Sequence, residues 1–172
     1  SIDGENWNFE INADWPPRHC AAWLSNDDNI WVIGGDPQSG CLTDVWKSSD
    51  GINWDQIIDT IPGYFKRNMP NYAILNDKLT LFGGEQCSGL GLNDVWQSND
   101  GSTWTQLPDA PWLGRGMQIN SCVDDNGVMW MLSGAIEGER RPFNDVWNTA
   151  DGITWNLINP SAPWMGRYWH TV

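Results

Sequence analysis

Cations are scarce in this chain, histidine and tyrosine are nearly absent, and no long apolar run interrupts it. Lys and Arg number 9 against 22 Asp and Glu, a formal charge of −13. Binding to nucleic acid or to an anionic membrane needs clustered cations, so the charge balance disfavours both, and no nucleic-acid partner is expected. No stretch approaches the roughly 18 consecutive apolar residues of a membrane span, and no signal peptide heads the sequence. The 4 cysteines contain no Cys-x-x-Cys and the 2 histidines, His19 and His170, stand far apart. Zinc ribbons and thiol redox motifs are excluded on that spacing, and no metal or cofactor is expected. No segment carries a helical apolar period. The acidic balance serves solubility, and it also suits a secreted or cell-surface protein or one that meets a basic partner.

What the chain does have is tryptophan, 14 of them, and 18 glycines, both placed periodically. Asp-Val-Trp occurs at Asp44-Val45-Trp46, Asp94-Val95-Trp96 and Asp145-Val146-Trp147, spaced 50 and 51 residues apart. Eight residues after each comes another tryptophan: Trp54, Trp104 and Trp155. Between them lie Ser48-Ser49-Asp50-Gly51, Ser98-Asn99-Asp100-Gly101 and Thr149-Ala150-Asp151-Gly152. An apolar strand ends in a diglycine at Gly34-Gly35 and Gly83-Gly84, and degenerately at Ser133-Gly134. Each unit is preceded by an aromatic with an arginine three residues on: Trp15 and Arg18, Tyr64 and Arg67, Trp112 and Arg115, Trp164 and Arg167. A fixed period near 50 residues marks a repeat architecture.

In the second unit the pattern predicts strands over Tyr72–Leu75, Leu79–Phe82, Asp94–Gln97 and Thr103–Leu107. Asn76-Asp77 is read as a tight turn and Asp100-Gly101 as a type I′ hairpin connection. Four antiparallel strands per unit describe one blade of a β-propeller. The residues also resemble kelch repeats, in which a diglycine precedes an Asn-Asp-Val-aromatic strand, a turn, a Trp opening the fourth strand, and an arginine at the exit. Asn93-Asp94-Val95-Trp96, Trp104 to Pro108 and Arg115 fit that pattern, and the resemblance covers essentially the whole chain. The Ser-x-Asp-Gly-x-x-Trp turn is also similar to a shortened Asp-box, the hairpin of sialidase-type propellers, which implies the same architecture.

The expected fold class is therefore all-β: three blades near 18–57, 67–107 and 115–157, with 1–10 as the last strand of a preceding blade and 167–172 as the first strand of a following one. A closed propeller has about 4 to 8 blades. The remaining blades are expected from the same chain, from a second copy or from another protein; closure as a small strained ring is the third possibility. Nine tryptophans at repeat-equivalent strand positions read as packing between blades, each burying on the order of 200 Å². Cys41 and Cys87 fall in second-to-third-strand loops of neighbouring blades, on one rim, which admits a disulfide. Cys20 and Cys122 read as buried free thiols in first strands.

Two readings of the aromatic and arginine set stay open. Each arginine either spans a blade junction, bonded to carbonyls or to the Asp of Asp-Val-Trp under an aromatic lid, or forms a rim for a carboxylate, peptide or sugar. The non-repeating loops are further candidates, above all Glu137, Glu139, Arg140 and Arg141. Kelch resemblance implies a non-catalytic scaffold for a protein or glycan partner, or a structural module of a larger assembly, with extracellular or cell-surface placement slightly favoured. The alternative is a sialidase-like or galactose-oxidase-like enzyme whose catalytic residues lie outside this segment. The 3 tyrosines stand in no copper-radical context, and neither histidine has a metal-ligand partner in sequence.

Overall fold

Short runs of β-branched and aromatic residues, broken by Gly, Asn and Asp, make strands of two to seven residues in the computed structural model. The structure describes residues 3–9, 12–26, 28–38, 40–116, 120–136 and 141–168, and among these the chain is all-β with no helix. β1 (Ala22–Ser25), β2 (Ile30–Gly35), β3 (Leu42–Ser48) and β4 (Asp55–Ile58) form one antiparallel sheet in that order. Next come β5 (Arg67–Asn68), β6 (Asn71–Leu75), β7 (Lys78–Phe82), β8 (Glu85–Gln86), β9 (Val95–Ser98) and β10 (Thr105–Leu107). Here β6, β7, β9 and β10 make the middle sheet, while the two-residue β5 pairs with β8. The third unit repeats this with β11 (Asn120–Val123), β12 (Met129–Leu132), β13 (Ala135–Ile136), β14 (Arg141–Pro142), β15 (Val146–Thr149) and β16 (Asn156–Asn159). β11, β12, β15 and β16 form its sheet, and β13 pairs with β14.

The hairpin turns differ from the type I′ expectation. In Ser98–Thr103 the Ser98 hydroxyl accepts the Gly101 N–H at 2.8 Å, and Asp100 Oδ1 accepts those of Ser102 and Thr103 at 2.9 and 2.8 Å. Gly51, Gly101 and Gly152 take φ of 74°, 76° and 79°, whereas the aspartates before them do not turn left-handed. A carboxylate that collects two backbone donors closes the loop through its side chain, so only one residue needs a positive φ. Asn76 and Asp77, with φ of 51° and 61°, make the purely backbone turn instead. Asp3 caps Glu5 and Asn6 in the same way, but the residues 6–9 that follow pair with no strand, unlike the fourth strand expected there.

Each sheet packs against the next. Leu79, Leu81 and Trp96 of the middle sheet join Ala22, Leu24, Trp31, Ile33 and Val45 of the first in one core. The alternate residues Ala73, Leu75, Phe82 and Val95 point the other way, into a second core with Met129, Met131 and Trp155. Period-two alternation thus buries both faces of the middle sheet, and β6 lies between β1 and β11. Trp155 meets Phe82 across the gap with ring centroids 5.4 Å apart. Gly101 sits on Trp31 so closely that an added Cβ would stand 2.6 Å from the indole. Cys20 is buried, but in a bend before β1, and Cys122 is exposed rather than buried because the outer face of its sheet meets no further sheet among the described residues.

Two consequences are measurable. Trp155→Ala should lower stability in urea by about 3–5 kcal/mol, while Trp7→Ala, at a position 78 % exposed, should change it by less than about 0.5 kcal/mol. The N–H of Thr103 and its neighbours hold the Asp100 carboxyl down to about 2, from 3.8. Because the folded-state value is the lower one, that stabilisation is present above pH 3.8 and is lost as the pH falls toward 2. Asp100→Asn should flatten the acid limb of the pH–stability curve.

Candidate functional site

The loop that leads into each unit and the loop between its second and third strands lie at the same end of the sheets. Backbone bridges tie them: His19 to Asp36, β5 to β8, and Gly116 to Ala135. The repeat arginines organise this end. Arg67 donates two hydrogen bonds to the Asp94 carboxylate, the Nη2 bond being 2.6 Å, and one from Nη1 to Gly83 O at 2.8 Å. Arg18 repeats the contacts with Asp44 and Gly34 O, and Arg115 with Asp145 and Ser133 O. Their side chains are 0 to 2 % exposed. The same aspartates accept the indole N–H of Trp46, Trp96 and Trp147, each at 2.8 Å. Asp-Val-Trp is thus a carboxylate that joins an incoming arginine to its own strand's tryptophan.

Arg115 and Arg167 also hold the junction to the preceding unit. The carbonyl of each accepts the N–H of the second glycine of the previous unit, Gly84 to Arg115 at 2.9 Å and Gly134 to Arg167 at 3.1 Å, while the Arg115 guanidinium works inside the unit it leads. The aromatic lid is present as well, with Arg67 lying 3.8 Å from the Tyr64 ring centroid. Burial pushes the Tyr64 hydroxyl up to about 12, so this phenol stays neutral and contributes its ring. Ser133, in place of a glycine, adopts φ of 67° and its hydroxyl accepts the Trp164 indole N–H at 3.3 Å.

A pattern missed in the sequence emerges from the remaining guanidinium nitrogen. Nε of Arg18, Arg67, Arg115 and Arg167 donates to the carbonyl two residues back, at Pro16, Phe65, Leu113 and Met165, over 3.0 to 3.2 Å. Those four residues are apolar and exposed, Phe65 at 61 %, Leu113 at 55 % and Met165 at 85 %. A pinned carbonyl with a solvent-facing apolar side chain recurs once per unit. The signal was there, an apolar residue right after each repeat aromatic, but the aromatic and arginine on either side drew the reading.

Cys41 and Cys87 are bonded, with Cα atoms 6.3 Å apart, and so link the second-to-third-strand loops of the first two units. Around them opens a cleft of about 580 Å³ lined by Pro37, Leu42, Phe65, Lys66, Gln86 and Ser88. A second cleft of about 560 Å³ lies beside it, between Pro16–His19 and Asp36–Gln38.

Of the candidates from sequence, Tyr64, Arg67, Trp112 and Arg115 are buried, and the Arg18 side chain is fully enclosed. The guanidinium groups of Arg18, Arg67 and Arg115 face framework partners, so a rim of free cations is not what these arginines form. Trp15 and Trp164 are half-buried, and Arg167 is exposed. Glu137, Glu139, Arg140 and His170 lie outside the described residues, and Arg141 is described only as the backbone partner of Ile136. Among the described residues no three His, Cys, Asp or Glu side chains are grouped to hold a metal ion.

No protein-family model matches the chain, and no curated protein does. Solved structures are another matter, with 170 matching chains. The structure of YjhT superposes with a TM-score of 0.72 at 16 % identity, over 87 % of this chain and 54 % of that one. What is shared is the fold. This chain spans about half the length of that neighbour.

Removing one partner of a buried ion pair strands the other charge. Asp94→Leu should therefore cost about 3–5 kcal/mol in urea denaturation, and the double variant Arg67→Met with Asp94→Leu distinctly less than the sum of the singles.

Proposed function

We propose that this chain is part of a kelch-type β-propeller and acts as a non-catalytic scaffold. It holds a protein or glycan against the end where the incoming loops and the second-to-third-strand loops meet. The stacking supports the architecture: β6 lies between β1 and β11, both faces of the middle sheet are buried, and Gly84 and Gly134 hand their N–H groups to the carbonyls of Arg115 and Arg167. The Asp-capped turns fit the Asp-box type of propeller equally well.

The observation that carries the function is the row of exposed apolar residues Pro16, Phe65, Leu113 and Met165, each on a loop pinned by its own arginine. Solvent exposure of four apolar side chains serves no packing, and a rigid apolar row lowers the entropy cost of binding. A sialidase-like site needs arginines open to a substrate carboxylate, whereas Arg18, Arg67 and Arg115 are spent on aspartates. The disulfide between Cys41 and Cys87 favours an oxidising compartment, which fits an extracellular or cell-surface protein.

The test uses glycan arrays and displayed peptide libraries against the chain and against a triple variant, Phe65→Ser, Leu113→Ser and Met165→Ser. Ligands selected on the parent should bind the triple variant at least about tenfold more weakly, a loss of about 1.4 kcal/mol, while Ile153→Ser at the turn end leaves binding intact. Ligands indifferent to the triple variant, or turnover of a glycoside or alcohol by the chain, would contradict the scaffold reading.

A further inference from the structure

The bond between Cys41 and Cys87 does not belong to the repeat. The corresponding loop of the third unit, 135–143, contains no cysteine. The second and third sheets share a core through Phe82, Met131 and Trp155 with no disulfide between them, since Cys20 and Cys122 are free thiols. Stacking of one unit on the next therefore does not require a cross-link. What the disulfide does shape is local. Both of its cysteines line the cleft of about 580 Å³, together with Phe65 of the exposed apolar row. Cys87 Sγ lies 3.9 Å from the carbonyl oxygen of Lys66, the residue that follows Phe65.

The two loops that it joins are held in different ways. The second-unit loop, 85–92, is closed by its own backbone. Gln86 N–H donates to Leu90 O at 2.9 Å, Gly89 N–H to Gln86 O at 2.8 Å, and Leu92 N–H to Gly84 O at 2.9 Å. The first-unit loop, 36–42, is anchored at its ends, by Asp36 N–H on His19 O at 2.9 Å and by the pairing of Gly35 with Leu42. Between those anchors the Asp36 carboxylate accepts the Gln38 N–H at 2.6 Å, and Cys41 carries the covalent link to the second unit. Gln38 has φ of 72°, a conformation that a residue with a side chain keeps where its surroundings impose it. Pro37 of this loop lines both clefts, so whatever fixes the loop shapes both.

We propose that the Cys41–Cys87 disulfide is a redox switch for the loop end. Oxidised, it holds the first-unit loop against the second unit and gives the cleft beside Phe65 its walls. Reduced by a dithiol, it releases Pro37, Gln38, Gly40 and Cys41 while the stacked sheets stay intact, and the loop end loses its ligand. The use made of the cleft rests on the loop-end reading above. Exchange starts at Cys87, which is exposed, whereas Cys41 is 4 % exposed. A thiolate of the dithiol attacks Cys87 Sγ, the S–S bond breaks, and Cys41 leaves as a thiolate that takes a proton from water. The second sulfur of the dithiol then displaces Cys87, so the reductant ends as a disulfide and the protein holds two thiols. Two electrons and two protons have passed to the protein. Binding competence is then confined to an oxidising compartment.

The experiment follows amide hydrogen exchange in the 172-residue chain before and after reduction with dithiothreitol. On reduction the amides of Gln38 and Cys41 should exchange at least about tenfold faster, while those of β2, β7 and β9 keep their rates. The double variant Cys41→Ser with Cys87→Ser should match the reduced chain with or without dithiothreitol. Oxidised glutathione should restore the slow rates in the parent and not in the variant. Peptides selected on the oxidised chain should bind the reduced chain at least about tenfold more weakly and recover on reoxidation. Unchanged exchange at Gln38 and Cys41 would overturn the proposal, and so would peptides indifferent to reduction. Faster exchange throughout the first two sheets overturns it as well, because that is the response of a general staple. A chain that captures no peptide or glycan in either state contradicts the loop-end reading alone, and the amide rates still decide the switch.

Discussion

Everything at the loop end of the sheets depends on one buried ion pair made three times. An arginine carried in by the connecting loop is taken out of water and satisfied by the Asp of Asp-Val-Trp and by a carbonyl of the glycine pair, or of Ser133 in the third unit. A guanidinium left without those partners would cost several kcal/mol, so the loop, the second strand and the third strand are fixed together or not at all. The glycine pair is required by the same geometry. Gly84 has φ of 94° and an added Cβ would stand 3.0 Å from Pro70 and 3.1 Å from the Arg67 side chain. A side chain there would push the loop away from its own arginine.

The ion pair works across units because the arginine has two ends. At Arg115 the side chain belongs to the unit it leads and the carbonyl to the unit before, so the third unit is held in register on the second. Aromatic packing spans the same junction. Trp112 touches both Phe82 and Trp155, one from each side of the junction, at centroid distances of 6.2 and 5.5 Å. Polar contacts choose the register, and large edge-to-face rings hold it.

Much of this was legible in the letters. Arginine and Asp-Val-Trp recur in step, and an arginine paired with that aspartate was one of the two readings the motif allowed. Strand positions in the second unit were clear because Asn-Asp and Asp-Gly punctuate them. Other features could not be read. The ladders β5–β8 and β13–β14 are two residues long and carry no period. The turn type was misjudged because Asp-Gly predicts a backbone solution, while Ser98 and Asp100 supply a side-chain one. Phe65 and Leu113 carry no sequence mark of their own, and only the structure shows that they are exposed on a carbonyl pinned by the arginine Nε. Cys122 sits in a strand pattern that demands burial, yet its face is open, since burial depends on a neighbouring sheet and not on the strand itself.

Native-state hydrogen exchange tests the central claim most directly. If the arginine couples neighbouring units, the N–H groups of Gly84 and Gly134, which are accepted by Arg115 and Arg167, should exchange only by global unfolding. Their exchange free energies should then equal those of the β6 and β7 amides. Exchange of Gly84 through a local opening several kcal/mol cheaper than that of the sheet amides would show that the units fold independently, and would contradict the account.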